Sequence, residues 1–259
     1  MTMALSLTFA LTAAASVTAI RGPQQKALSL RGGETSALTK TGAAIVAAHG
    51  ATTFISPKKL LDFYGVTPSG DPLDLATLRN GGAWELGLAS ILMSDPEKVI
   101  GRSHYVAGLS LLAFAPYYAE VAGTPKEPYL FWIGLCAVLG TLAESGKISQ
   151  WVAPALYGVN GIMMYASPQT QASIYSLPEL SPLQVGEFRF IGQQLFATGA
   201  YLAALAAGKS QKEAFAAVFG VFALHCLRIL IATKEVSFDQ LPIIAELTLD
   251  VGLVVAALK

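Results

Sequence analysis

The stretch FRFIGQQLFATGAYLAALAA, residues 188–207, holds one charged side chain in twenty positions and is rich in Ala, Gly and Leu. About 20 such residues in a helix cross the roughly 30 Å hydrocarbon core of a bilayer. A segment in lipid must satisfy its backbone polar groups internally, so the stretch predicts a transmembrane helix. Seven further apolar segments follow this pattern, some of them shorter: residues 42–55, 78–93, 99–118, 128–142, 151–165, 214–233 and 241–258.

The composition of the whole chain points to a membrane. Its 259 residues are 53% hydrophobic and 13% charged, whereas soluble domains carry about 25% charged residues. Mean hydropathy is +0.53, so we expect a lipid bilayer to cover part of the surface. The 17 basic residues balance the 17 acidic ones and form no basic stripe, which excludes a nucleic-acid-binding surface. Cys136 and Cys226 lie in apolar segments outside any Cys-x-x-Cys pair, which predicts buried thiols and no disulfide framework.

Residues 1–33 predict a leader that is removed from the mature protein. Residues 1–20 contain no charged side chain, and Val17 and Ala19 match the positions before a signal-peptidase site. Residues 21–33 are basic, and no acid precedes Glu34. This two-part composition resembles the leaders of algal secondary-plastid proteins, which implies a thylakoid or envelope membrane. The alternatives are a secretory signal, with the endoplasmic reticulum or another secretory membrane as destination, and a ninth span at residues 5–20.

Two copies of one pattern follow, in residues 34–148 and 149–259. Each predicts a helix ending in Ser-Pro, a polar loop with a Tyr, and three more helices. Because four helices return the chain to its starting side, the copies are parallel. The expected fold class is an all-α membrane protein with about eight transmembrane helices as two parallel four-helix repeats. A shift of 110 or 111 residues aligns His49 with Asn160, Ser56 with Ser167, Tyr64 with Tyr175, Arg79 with Arg189, and Gly82 with Gly192.

A Tyr-bearing loop, an Arg and a glycine-rich helix follow one another in the first copy. Residues 63–66, 79–82 and 86–88 read FYGV, RNGG and LGL, and residues 188–192 of the second copy read FRFIG. This order resembles small four-helix membrane proteins of the DoxX-like type. The resemblance covers residues 42–142 and 151–258, one unit each. It implies a four-helix membrane fold for each unit, and many such families have no assigned activity.

Polar side chains inside the apolar segments are the candidate functional residues, because a charge in a bilayer is costly. Glu85 with His49 or His104 predicts one polar pocket, and Arg228 facing Glu246 and Asp250 predicts another. The alternative is structural neutralisation of Arg228 by either acid, and of Glu85 by Arg79 or a histidine. Arg79 and Arg189 lie at helix entrances, where we expect them to snorkel or to cap the Tyr-bearing loop. The candidates for a binding site or polar interior are His49, Glu85, His104, Asn160, Gln193, His225, Arg228, Glu246 and Asp250.

The sequence contains no His-Glu-x-x-His, P-loop, Gly-x-Ser-x-Gly or dinucleotide-binding motif. No metal site is expected, and the sequence identifies neither a catalytic residue nor a cofactor. The leading expectation is an organellar membrane protein that binds a hydrophobic ligand or pigment, or that is a subunit of a membrane complex. The alternatives are a small membrane enzyme acting on a lipid or isoprenoid, with Glu85 and a histidine as acid and base, and a transporter.

Overall fold

A computed structural model describes residues 36–232 and 236–259, and the leader predicted at residues 1–33 lies outside these ranges. The described residues form ten helices and no strand. The helices are α1 (Ala37–Ile55), α2 (Pro57–Phe63), α3 (Pro72–Leu92), α4 (Val99–Ala122), α5 (Glu127–Glu144), α6 (Val152–Ala166), α7 (Pro168–Ile174), α8 (Pro182–Ala206), α9 (Gln211–Ala232) and α10 (Gln240–Leu258).

The all-α prediction is confirmed, and each of the eight apolar segments overlaps one of the eight long helices. Among the described helices, α9 and α10 have both the length and the apolar composition of membrane spans, with hydropathies of 2.2 and 2.0. Only 22% of the apolar window of α10 is buried. Its exposed apolar side chains include Leu241 and Leu258, which are 77% and 65% accessible. An apolar surface of this kind marks contact with lipid or with another protein.

Helix starts follow the local sequence. Asp71 caps α3 by accepting a hydrogen bond from the Leu73 N–H, and Pro72 occupies the first turn. Ser181 and Gln184 form a reciprocal capping box at the start of α8, which satisfies two otherwise free backbone groups. The two Ser-Pro turns were expected to open polar loops, but each opens a seven-residue helix instead, α2 and α7. Proline suits the first helical position because its fixed φ matches the helix.

Helices α3 and α8 form the centre of the molecule. Helix α1 packs along α3, α6 packs along α8, and α3 and α8 pack on each other. Glycines permit the first two contacts: Gly50 meets Gly82 between α1 and α3, and Gly161 meets Gly192 between α6 and α8. Contacts also cross between the halves, since α1 touches α9 and α10 and α6 touches α4. These contacts between the halves enclose a cavity on each side of the α3–α8 pair.

Candidate functional site

The larger cavity, here called the acidic cavity, lies between α1–α3 and α8–α10 and has a volume of about 180 Å³. Two Glu residues of the lining, Glu85 and Glu187, are each 4% exposed. The lining brings together seven of the nine candidate side chains from the sequence. They are His49, Glu85, Gln193, His225, Arg228, Glu246 and Asp250. Residues separated by up to two hundred positions therefore share one site.

His49 and Glu85 form the centre of the polar group. His49 Nδ1 lies 2.8 Å and 2.9 Å from the two carboxylate oxygens of Glu85. Thr53 Oγ1 donates to Glu85 Oε2 at 3.2 Å, and Gln194 Nε2 donates to Glu85 Oε1 at 3.2 Å. Glu85 therefore receives hydrogen bonds from α1 and α8, which satisfies a carboxylate that water barely reaches.

The other ring nitrogen of His49 faces the second half of the chain. His49 Nε2 lies 3.3 Å from the Tyr64 hydroxyl and 3.7 Å from Glu246 Oε1. The Tyr64 hydroxyl donates to Glu246, and Cys226 Sγ approaches Glu246 Oε2 at 3.8 Å and Asp250 Oδ2 at 3.9 Å. Burial, and then the Glu246 charge, raise the pKa of Tyr64 well above its ordinary value of 10. The hydroxyl therefore stays protonated and remains a hydrogen-bond donor.

Most of the remaining lining of the acidic cavity is apolar. Aliphatic and aromatic side chains such as Ile45, Leu61, Phe190, Phe222 and Ile243 form its walls. Glu187, which sequence reasoning missed, also lines it. Neither carboxylate oxygen of Glu187 has a hydrogen-bond partner among the described residues. The site is thus an apolar chamber with a polar end, a form common to ligand pockets.

The expected pairing of Arg228 with Glu246 or Asp250 is replaced by another arrangement. The Arg228 guanidinium carbon lies 5.5 Å from the centroid of the Tyr165 ring, and the two acids lie with His49, Tyr64 and Cys226. The Tyr165 hydroxyl also lies 3.3 Å from His225 Nδ1. Arg228 and His225 therefore form a separate group around Tyr165 at the side of the acidic cavity.

The two arginines at the helix entrances contact neighbouring helices. Arg189 Nε donates to the backbone oxygen of Tyr165 at 3.2 Å, at the end of α6. The guanidinium carbon of Arg79 lies 5.3 Å from the ring centroid of Tyr117 on α4. Arg189 thus binds the backbone just before the second Ser-Pro turn, and Arg79 makes a cation–π contact.

His104 and Asn160 lie apart from the acidic cavity. Both line a second cavity of about 100 Å³, the aromatic cavity, between α3–α5 and α6–α8. Asn160 Nδ2 donates to the backbone oxygen of Leu156 at 2.8 Å. Of the two histidines considered as partners for Glu85, the structure therefore selects His49. Residues that the sequence did not single out for the site are Tyr64, Thr53 and Glu187, although the alignment of Tyr64 with Tyr175 was a usable signal for the first.

No group of three or more His, Cys, Asp or Glu side chains within residues 36–232 and 236–259 is arranged to hold a metal ion. Comparison with known proteins gives no match to this chain among family models, curated proteins or solved structures.

Proposed function

We propose that the chain is an integral membrane protein whose eight long helices span the bilayer as two tandem, parallel repeats of the DoxX-like kind. The apolar side chains on its outer surface support this, because water would leave them unfavourably hydrated. They occur on helices of both halves, for example Leu109, Leu130, Ile162 and Leu224, which are 64%, 60%, 53% and 68% accessible. The leader supports a plastid membrane as its location, and the exposed face of α10 suits contact with another membrane subunit.

The order of elements supports the tandem repeat. A long helix, a seven-residue helix opened by proline, and three long helices occur in α1–α5 and again in α6–α10. The backbone dihedral angles of the two Ser residues before those prolines are similar, with φ and ψ of −132° and 56° at Ser56 and of −137° and 61° at Ser167. The Gly50–Gly82 contact also has its counterpart in Gly161–Gly192.

The function that the geometry supports best is binding of a hydrophobic ligand in the acidic cavity. The observation that carries it is the hydrogen-bonded group of His49, Glu85, Tyr64 and Glu246 in a chamber whose remaining walls are mostly apolar. The tail of the ligand lies along the apolar walls, and its head lies at this group. Four carboxyl groups line the cavity, against one arginine. A head that donates hydrogen bonds or carries positive charge is therefore favoured over an anionic one.

The head-group preference is tested with three ligands that share one tail: oleylamine, oleyl alcohol and oleic acid. Each is titrated into the full chain in a mild detergent, and affinity is measured by thermal shift. We expect oleylamine to bind roughly tenfold or more tightly than oleic acid, and Glu246→Gln to remove most of that difference. Glu120→Gln, an exposed acid on α4, is the matched control. Equal affinities for the three heads, or equal effects of the two substitutions, would overturn the proposal.

A second candidate is a membrane enzyme acting on a lipid or isoprenoid. It is favoured by the Glu85–His49 pair, in which a carboxylate orients an imidazole whose other nitrogen faces the cavity near Tyr64. This is the arrangement of an acid–base residue held in a fixed orientation. The test begins with purification of the full chain in mild detergent and identification of the bound ligand by mass spectrometry. If the protein is an enzyme, a Glu85→Gln variant that folds normally should lose turnover of that ligand. If the ligand is recovered unchanged from both proteins after incubation, binding alone remains.

A further inference from the structure

The aromatic cavity differs from the acidic cavity in charge. None of its lining residues, all in the described part of the chain, is Asp, Glu, Lys or Arg, and eight of them are Phe, Tyr or Trp. The rings make close contacts: Tyr129 stacks on Tyr175 with centroids 5.4 Å apart, and Trp84 meets Tyr157 edge-on at 6.2 Å. Walls of this kind favour a neutral ligand with a flat or rigid ring system.

The two cavities occupy corresponding places in the two halves, but the ionisable residues are replaced. Asn160 stands in the aromatic cavity where His49 stands in the acidic one, and Leu195 stands at the position of Glu85. Helices α5 and α10 line their cavities with the same spacing, so that Trp132 and Cys136 match Glu246 and Asp250. This correspondence of positions rests on the proposed repeat, whereas the absence of charged residues from the described lining does not.

Four residues lining the aromatic cavity have a side-chain polar atom with no hydrogen-bond partner in the described chain. They are Asn80 Oδ1, His104 Nε2, Gln171 Oε1 and the Tyr129 hydroxyl, and the four residues are 5%, 2%, 3% and 5% exposed. Native proteins satisfy the large majority of buried polar groups. Two of these atoms are amide oxygens that need a donor, and a hydroxyl group can donate to them and also accept.

We infer that the aromatic cavity binds a neutral alcohol built on rigid rings, with the polarity of a sterol. The ring system packs between the aromatic walls, and the hydroxyl group donates to one unpartnered amide oxygen and accepts from the imidazole of His104. Half-buried Leu135, Leu139 and Leu156 lie on the α5–α6 side of the cavity, which gives the apolar end of such a ligand a path to the lipid. This site is separate from the acidic cavity and takes a different class of ligand.

Tryptophan fluorescence reports on this site directly, because Trp84 and Trp132 line it and the chain contains only three tryptophans. The probe is dehydroergosterol, a fluorescent sterol that accepts energy from excited tryptophan. It is titrated into the full chain carrying Trp151→Phe, in detergent. We expect saturable energy transfer that cholesterol displaces. Cholesteryl sulfate, with a charged head, and 5-cholestene, without a hydroxyl, should displace it at least roughly tenfold more weakly.

Two substitutions distinguish a sterol-binding site from a cavity that binds no ligand. Ala107→Leu fills the cavity and should abolish saturable transfer. His104→Leu should weaken sterol binding by roughly three- to tenfold, the worth of one hydrogen bond, and should raise the unfolding temperature of the sterol-free protein because an unpartnered polar atom is removed. Glu246→Gln, in the acidic cavity, should leave both the saturable energy transfer and the affinity for the sterol unchanged. Transfer that never saturates, or equal displacement by all three competitors, would overturn the inference whatever oleylamine does at the acidic cavity.

Discussion

The backbone oxygen of Gly50 on α1 lies 2.8 Å from the position that a Cβ atom on Gly82 of α3 would occupy. The same atom would lie 2.6 Å from the backbone nitrogen of Phe54. Both obstacles are backbone atoms, so a side chain at position 82 would require the two helices to separate. Glu85 lies one turn further along α3 and His49 lies next to Gly50. The close contact of the two helices therefore also sets the distance between the His49 and Glu85 side chains.

Gly82→Ala is therefore expected to destabilise the protein by about 1–3 kcal/mol, the usual cost of overpacking, and to weaken ligand binding in the acidic cavity. The measurement is chemical or thermal unfolding in detergent. Gly134→Ala on α5 is the matched control, because nothing lies within 4 Å of its Cβ position. That change should be neutral or stabilising by up to about 1 kcal/mol, since alanine is the better helix former. Equal losses from both substitutions would contradict the contact.

His49→Leu should leave the Glu85 carboxylate buried without its imidazole partner. Removing one member of a buried pair costs about 3–5 kcal/mol, and we expect the lower end because Thr53 and Gln194 still donate to Glu85. The double variant His49→Leu with Glu85→Leu should lose much less than the two single changes together. A double-mutant cycle on unfolding free energy measures the difference. Strict additivity would show that the two groups do not interact in the folded protein.

The positions of the long helices could be predicted because each is an uninterrupted apolar run bounded by turn residues. The helices α2 and α7 could not. Seven residues such as PKKLLDF show neither an apolar run nor a full helical repeat. In the folded chain, Leu60 and Leu61 of α2 are buried in the interior. Short helices depend on tertiary contacts more than on their own sequence.

The partners within the site were harder to predict than its members. The sequence could show which side chains needed a polar environment, but not which helix faces would meet. Cys226 and Arg228 are two residues apart and so point about 200° from each other around α9. Cys226 faces Glu246 and Asp250, and Arg228 faces Tyr165 on α6. That α9 and α10 pack together was correctly expected, yet this did not determine the pairing.

Tags in the loops at residues 67–74 and 176–182 should report the same side of the membrane. Gln184 Nε2 donates to Asp71 Oδ2 at 3.0 Å and to Asp74 Oδ1 at 2.9 Å, so both loops lie at one end of the bundle. Tags in the connector at residues 147–150 and after Lys259 should report the other side. Gln150 Nε2 donates to the backbone oxygen of Ala206 at 3.1 Å, which places that connector at the far end of α8. Opposite sides for either pair would rule out eight spans in parallel repeats.

Tyr64→Phe tests the contact between the two halves of the chain. The Tyr64 hydroxyl donates to Glu246 and lies 3.3 Å from His49 Nε2, so its removal leaves the Glu246 carboxylate with only the weak donor Cys226 Sγ among the described residues. A hydrogen bond to a charged group contributes about 1.5–3 kcal/mol, and we expect a loss of unfolding free energy in that range.

Tyr175→Phe is the control at the corresponding position, where the ring stacks on Tyr129 and phenylalanine can keep that contact. It should cost under about 1 kcal/mol. Adding Glu246→Gln to Tyr64→Phe should restore part of the loss, because a neutral amide is less costly to leave unpaired than a carboxylate. Equal costs for the two tyrosines, or no restoration by Glu246→Gln, would mean that this hydrogen bond does not join the halves.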